Sequence, residues 1–214
     1  ARLNADGLAS TAKELACTDT LTGLPNRRAI FQKLDDDVAQ HKAFWLGLID
    51  LDGFKAVNDA YGHVFGDTLL REVAWRARRV VGANACLGRL GGDEFAVIVS
   101  GAVPPEEIEA YGNRLIATIS EPYHVDQVQV TVGATVGFCH YPDMAPSSEA
   151  LYEKADFALY RGKESRRGAA FVFESHHEWE MTRTIAIERA LREGDLEAEL
   201  YPVFQPQYSL SEDR

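Results

Sequence analysis

Cysteine is scarce in this chain: three residues in 214, Cys17, Cys86 and Cys139, far apart and with no Cys-x-x-Cys pair. An odd, sparse set argues against a disulfide framework and points to free buried thiols in a reducing compartment. A catalytic cysteine has no local support. Positive charge is also in deficit, with 22 Lys and Arg against 33 Asp and Glu, for a formal net charge of −11. That balance argues against a nucleic-acid-binding surface and against contact with an anionic membrane. It leaves a nucleotide substrate open, because a bound divalent cation inverts the local sign. No GxxxxGK[ST] loop is present, which excludes a P-loop nucleotide enzyme. No apolar run approaches membrane-spanning length, and the N-terminal "ARLNADGLAS" lacks the layout of a signal peptide. The expectation is a soluble, cytoplasmic segment, with the cytoplasmic part of a membrane-anchored sensor as the open alternative.

What is present is ordinary globular composition, 46% hydrophobic and 26% charged, enough for one buried core plus an appendage. Periodicity predicts a helix over 3–17 and another from about Asn26 to Gln40, after a loop containing Gly23 and Pro25. "AFWLGLIDLD" reads as a buried strand with a polar C-terminal end. A short helix "GFKAVNDAYGH" follows, then a longer one from Gly66 to Val81. A hairpin across Gly91-Gly92, a helix from Pro105 to Ile119, strands around "VQVTVGATVGFCHYP", a helix from Ser147 to Lys163 and a strand "AAFVFE" complete the series. Helices mixed with hairpin-joined strands predict an α+β sandwich, with helices layered on a mainly antiparallel sheet. Composition shifts near Ser175, where a charged linker helix over 175–198 leads to a fresh strand at 199–214.

The chemistry concentrates at two acidic pairs. Asp50 and Asp52 end one strand, and Asp93 and Glu94 open another at the Gly-Gly turn of "RLGGDEFAVIVS". If those strands are neighbours, the carboxylates converge, and like charges raise one another's pKa. A divalent cation removes that penalty, and oxygen-only ligands favour Mg²⁺ or Mn²⁺ over zinc. Alone, the Gly-Gly pair is equally an ordinary turn decorated with acids. Lys55 lies at a helix N-terminus that favours phosphate. Asn58 and Asp67 could read a guanine edge, although Asn58 also suits a helix turn and Asp67 a helix cap after Gly66. His63 on its own reads as structural.

Together, "TDTLTGLPNRR", "IDLDGFKAVNDAYGHVFGD" and "RLGGDEF" resemble the GGDEF family of diguanylate cyclases, over roughly Asp19 to Glu174. The resemblance implies a fold like the catalytic core of class III adenylyl cyclases and the polymerase palm. It implies that Asp50 and Asp93 bind Mg²⁺ through side chains and Leu51 through its carbonyl, with Glu94 supporting the site and a second metal. Asp93 would also accept the proton of the attacking ribose hydroxyl. Phe54 and Lys55 would meet the β/γ-phosphates, Gly91 and Gly92 would let the backbone approach the nucleotide, and Asn58 and Asp67 would read guanine beside His63. Lys163 and Arg167 would reach the phosphates from the last long helix. The implied activity joins two GTP into cyclic di-GMP across a homodimer. The implied alternatives are a silent GTP-binding module that tunes a phosphodiesterase, and a scaffold that binds no nucleotide.

Three departures stand out. The positions of the family's RxxD product-inhibition motif hold Gly82 and Ala85, which argues against feedback through that site. Arg166 stands where a glycine usually precedes Arg167, and Thr135-Val136-Gly137 replaces the commoner Ser-Ile-Gly. The tail "LREGDLEAELYPVFQPQYSL", with Phe204-Gln205-Pro206, resembles the opening of an EAL phosphodiesterase domain. The domain expectation is therefore a signalling helix at 1–18 joined to an upstream sensor, a cyclase domain at 19–174, a linker helix at 175–198 and the start of an EAL domain at 199–214.

Overall fold

The computed structural model describes residues 16–193. Its centre is strand β1 (Phe44–Asp52), buried along nearly its whole length. A strand covered on both faces reads as a continuous apolar run, as "FWLGLI" does. β1 pairs antiparallel with β3 (Glu94–Ser100) on one side and with β6 (Gly133–Tyr141) on the other. β2 (Ala85–Gly91) joins the outer edge of β3, and β7 (Ala170–Val172) runs parallel to β6. The order is therefore β2-β3-β1-β6-β7, with every pair but the last antiparallel. A second small sheet pairs β4 (Tyr123–Val125) with β5 (Val128–Val130).

Helices cover this sheet. α1 (Arg27–Ala39) starts at Asn26, whose side chain accepts the Ala29 amide at 3.1 Å as an N-cap. α2 (Phe54–Tyr61) and α3 (His63–Val80) follow β1 almost without a break. α4 (Pro105–Ile119) opens on a proline, whose missing N–H costs nothing in a first turn. α5 (Ser148–Ser165) lies against β6, and Gly137 sets how closely. A Cβ there would sit 2.2 Å from the Leu159 nitrogen and 2.4 Å from the Ala155 oxygen. Leu24, Phe54, Leu69, Val73, Phe95, Val97, Ile116 and Phe138 share one continuous core.

The α+β class and the mainly antiparallel sheet match the sequence expectation. Three local details differ. α3 begins at His63, so Gly66 and Asp67 lie inside its first two turns and Asp67 is not a cap. Gly66 is small because Asn58 Oδ1 occupies the space its Cβ would need, at 1.8 Å; the glycine marks a helix–helix contact rather than a helix start. The hairpin tip is Gly92-Asp93 rather than Gly91-Gly92, because Gly91 still pairs with Glu94 across a bulge.

By contact the chain divides at Ser175, and the second unit contains α6 (His177–Glu193). Of the predicted helix over 3–17 only residues 16 and 17 are described, and both are helical; the expected strand at 199–214 lies outside the described residues. Among the described residues no helix is long and apolar enough to cross a membrane.

Candidate active site

The β1–β3 pairing brings the two acidic pairs together. Asp50 stands directly opposite Glu94, and the Leu51 amide donates to the Asp93 carbonyl at 3.3 Å. The hairpin tip thus folds over the end of β1, and side chains of directly paired residues lie close. Asp52, two residues on, accepts the Thr135 hydroxyl at 2.7 Å, and the Arg167 guanidinium stands 4.0 Å from it. Asp93 and Glu94 accept no hydrogen bond through their carboxylates among the described residues.

Lys163 supplies the nearest positive charge. Its ammonium lies 2.6 Å from Asp50 Oδ2, with both side chains more than two-thirds covered. Burial nevertheless pushes the Asp50 carboxyl above the usual range; Lys163 opposes the shift, while Asp93 and Asp52 add to it. Glu94 is also raised, by partial desolvation first and then by Asp50, Asp93 and Asp156, with Arg27 opposing. Asp156, on α5 two turns before Lys163, is raised by burial against the pull of Lys163. Five carboxylates, those of Asp50, Asp52, Asp93, Glu94 and Asp156, therefore share one field.

The other half of the site follows β1. Gly53 enters α2 at φ 85°, a left-handed conformation that a side chain would strain, and leaves the first amides of the helix without helical acceptors. The Phe54 side chain is buried in the core, so only its backbone is available to a phosphate. Lys55 is exposed and makes no ion pair among the described residues. Asn58 Oδ1 is buried against Gly66 with no hydrogen-bond donor, while Asp67 and His63 are exposed on α3. A buried acceptor without a partner is costly, and a ligand donor would satisfy it.

Among the described residues, no three of His, Cys, Asp or Glu are gathered closely enough to form a metal cage. Asp50, Leu51, Asp93 and Glu94 offer hard oxygen donors from two adjacent strands, and Asp50 already accepts a cationic partner. Mg²⁺ commonly takes one or two carboxylates and completes its shell with water and substrate phosphates, so an open donor set of this kind fits it.

The profile described as "Diguanylate cyclase, GGDEF domain" matches residues 16–169. The chain belongs to the GGDEF family. It is 36% identical over 197 residues to the bifunctional diguanylate cyclase/cyclic di-GMP phosphodiesterase MucR of Pseudomonas aeruginosa, a match covering 90% of this chain and 29% of that protein. It is 34% identical to the cyclic di-GMP phosphodiesterase PdeR of Escherichia coli, again over 90% of this chain and 29% of the relative. The chain thus spans under a third of the length of these relatives. Among solved structures, the GGDEF domain of TpbB (YfiN) from Pseudomonas aeruginosa superposes with a TM-score of 0.71 at 32% identity, over 79% of this chain and 99% of that one. DgcB of Caulobacter crescentus, solved in complex with c-di-GMP, gives a TM-score of 0.72 at 26% identity, over 79% and 92%.

The GGDEF domain contains site neighbours that the sequence did not single out. Arg89 donates from Nε and Nη2 to the Gly92 carbonyl at 3.1 and 2.8 Å and from Nη1 to both oxygens of Asp19. Asp19 also accepts the Thr22 amide and hydroxyl, at 2.9 and 2.6 Å. A fork filled on both sides pins the hairpin tip to the loop before α1. Asp156 carried a readable signal, since it shares a helical face with Lys163. Arg27 carried none, and Thr135, visible only as a departure from the commoner serine, gave no sign of its bond to Asp52, because both roles depend on long-range pairing.

Proposed function

We propose that this GGDEF domain is a diguanylate cyclase that condenses two GTP into cyclic di-GMP, working as a homodimer with Mg²⁺ or Mn²⁺. The observation that supports it best is the register of Asp50 opposite Glu94, with Asp93 at the overhanging tip and a lysine ammonium on Asp50. Asp50, Asp93, Glu94 and the Leu51 carbonyl would hold the metal, which neutralises charge on the phosphates. The α2 amides at Phe54 and Lys55, with Lys163 and Arg167, would hold the β/γ-phosphates. Asn58 would accept from guanine through its buried oxygen, with Asp67 and His63 on the neighbouring helix, and Gly91 and Gly92 would leave room for the sugar.

Asp93 would take the proton from the 3′-hydroxyl of one GTP. The 3′-oxygen then bonds to the α-phosphorus of the other GTP as the bond to the β-phosphate oxygen breaks and pyrophosphate leaves. Repeating the step in the opposite sense closes the ring and releases a second pyrophosphate. One nucleotide per domain makes two domains, facing across a two-fold, a requirement. The whole protein is read as a tandem, with an upstream sensor, a linker helix over 175–198 and an EAL domain beginning at 199–214.

Incubation with GTP and Mg²⁺, followed by chromatography, should show cyclic di-GMP from the parent sequence and at least about a hundredfold less from Asp93→Ala at equal folding. A chain that binds GTP without turnover favours a second reading, a regulatory module controlling a downstream phosphodiesterase. That reading draws on the similarity to PdeR, a relative named as a phosphodiesterase. Failure to bind GTP at all would rule out both.

A further inference from the structure

The ion pair at the end of β1 joins two residues that the cyclase reading sends to different partners, Asp50 to a metal and Lys163 to phosphate. Packing explains why they meet. α5 can touch β6 closely only where Gly137 leaves room for the backbone at Ala155 and Leu159. Gly162 makes a second close approach, since a Cβ there would lie 2.3 Å from the Phe171 ring. From Leu159 to Lys163 the helix climbs one turn, about 6 Å. Along β6, Gly137 to Thr135 is two residues, about 7 Å, and Thr135 pairs with Asp50. The helix therefore delivers the lysine stem over the end of β1, and the ammonium reaches Asp50 Oδ2 at 2.6 Å.

At that distance the ammonium occupies one of the two Asp50 carboxylate oxygens on which a divalent cation would draw. Mg²⁺ binds carboxylate oxygens at about 2.0–2.1 Å, and two cations on one side of a carboxylate repel. The other basic groups nearby do not substitute. Arg167 faces Asp52 at 4.0 Å and is mostly exposed, and Arg27 acts on Glu94 only through its field.

We propose that Lys163 is a built-in competitor for the cation site: a divalent ion binds Asp50 only as the lysine leaves it, and nucleotide phosphates are what draw the lysine away. Metal and nucleotide then bind cooperatively, since each favours the arrangement in which Asp50 and Lys163 are apart, and the coupling is reciprocal. The effect is to disfavour metal binding without nucleotide, and the inference rests on the cyclase reading of the same residues.

The test uses Mn²⁺ as a spectroscopic probe, with free ion counted by electron paramagnetic resonance, on the full chain without nucleotide. Lys163→Met should tighten Mn²⁺ binding by about tenfold, within the usual range of coupling between sites. Adding Asp50→Asn to that variant should abolish the gain. A GTP analogue blocked between the α- and β-phosphates should raise Mn²⁺ affinity in the parent sequence and raise it less in Lys163→Met. Unchanged or weaker Mn²⁺ binding in Lys163→Met overturns the proposal. Should that variant not fold, Lys163→Gln, which keeps the stem and a donor without the charge, decides by the same criterion. The two readings fail separately. A chain that makes cyclic di-GMP but shows no Mn²⁺ gain loses only the competition, whereas a chain that shows the gain but makes no product loses the cyclase activity.

Discussion

The two ends of β1 obey opposite rules. At the Phe44 end most groups are matched, His140 Nε2 opposite Trp45 being buried without a partner: Phe44 stacks on Tyr141, Trp45 Nε1 donates to the Val103 carbonyl at 2.9 Å, and the Gly101 amide donates to the Ala43 carbonyl at 2.8 Å. At the Asp50 end, five carboxylates, those of Asp50, Asp52, Asp93, Glu94 and Asp156, face Lys163, Arg167 and Arg27. One strand thus runs from a packed, largely polar-satisfied end to a crowded acidic one. The packed end and centre supply rigidity, and the acidic end uses it to hold like charges together that would otherwise separate. Raised carboxylate pKa values confined to one edge of a well-packed sheet are a common mark of a functional site.

The largest expected effect comes from breaking the packed part. Gly137→Ala would drive a methyl into the backbone of α5 at Leu159 and Ala155, which cannot rotate away as a side chain can. Overpacking of this kind costs about 1–3 kcal/mol and more where backbone must move. Chemical denaturation should show that loss, and because Lys163 rides on the displaced helix, the Mn²⁺ affinity of the nucleotide-free protein should rise with it. A stability loss with unchanged Mn²⁺ binding would uncouple the two ends.

Next in size is the clamp between them. Arg89→Ala would release the Gly92 carbonyl and leave Asp19, four-fifths covered, without its guanidinium. The expected cost is about 1–3 kcal/mol, with Arg89→Lys recovering little because an ammonium cannot fill both sides of the fork. Burial alone would raise the Asp19 carboxyl, but the bonds from Thr22 and Arg89 outweigh it and hold the pKa below 3.8. A lowered acid contributes stability above its ordinary value and loses it as pH falls through the lowered one. Denaturation midpoints of the parent should therefore fall more steeply than those of Arg89→Ala below pH 3.8. Parallel pH profiles would remove Arg89 from the account.

The packed centre was largely legible in the sequence, because its signals are local. The apolar run ending in Asp50 and Asp52, the proline that opens α4, and Asn26 before α1 each announce an element within a few residues. The site was legible only conditionally. Asp50 and Glu94 face each other because β1 and β3 are neighbours, which no local pattern states. Gly66 misled for the same reason: a glycine that relieves a contact with Asn58 looks, along the chain, like a helix boundary. The Thr135–Asp52 and Arg89–Asp19 bonds also span long stretches of sequence.

The smallest expected effect sharpens the contrast most directly, because it changes charge and almost nothing else. Asp156→Asn keeps the size of the side chain and removes one member of the acid group. Asp156 is exposed, yet crowding by the surrounding protein partly desolvates its carboxyl and raises it above 3.8, so its ionisation opposes folding: the stability it contributes is present below that value and lost as pH rises through the raised one. Asparagine does not ionise, so the variant should be slightly more stable than the parent at pH 7, with solvent at this exposed position keeping the gain small and the gain vanishing below pH 3.8. Glu94 should titrate lower in the variant, since Asp156 is one of the charges that raise it, and carboxyl-carbon NMR can follow that shift. A variant less stable than the parent at neutral pH would mean that the Asp156 carboxylate is worth more to Lys163 than its partial desolvation costs, and that the acidic end of the sheet is internally compensated rather than in need of a cation.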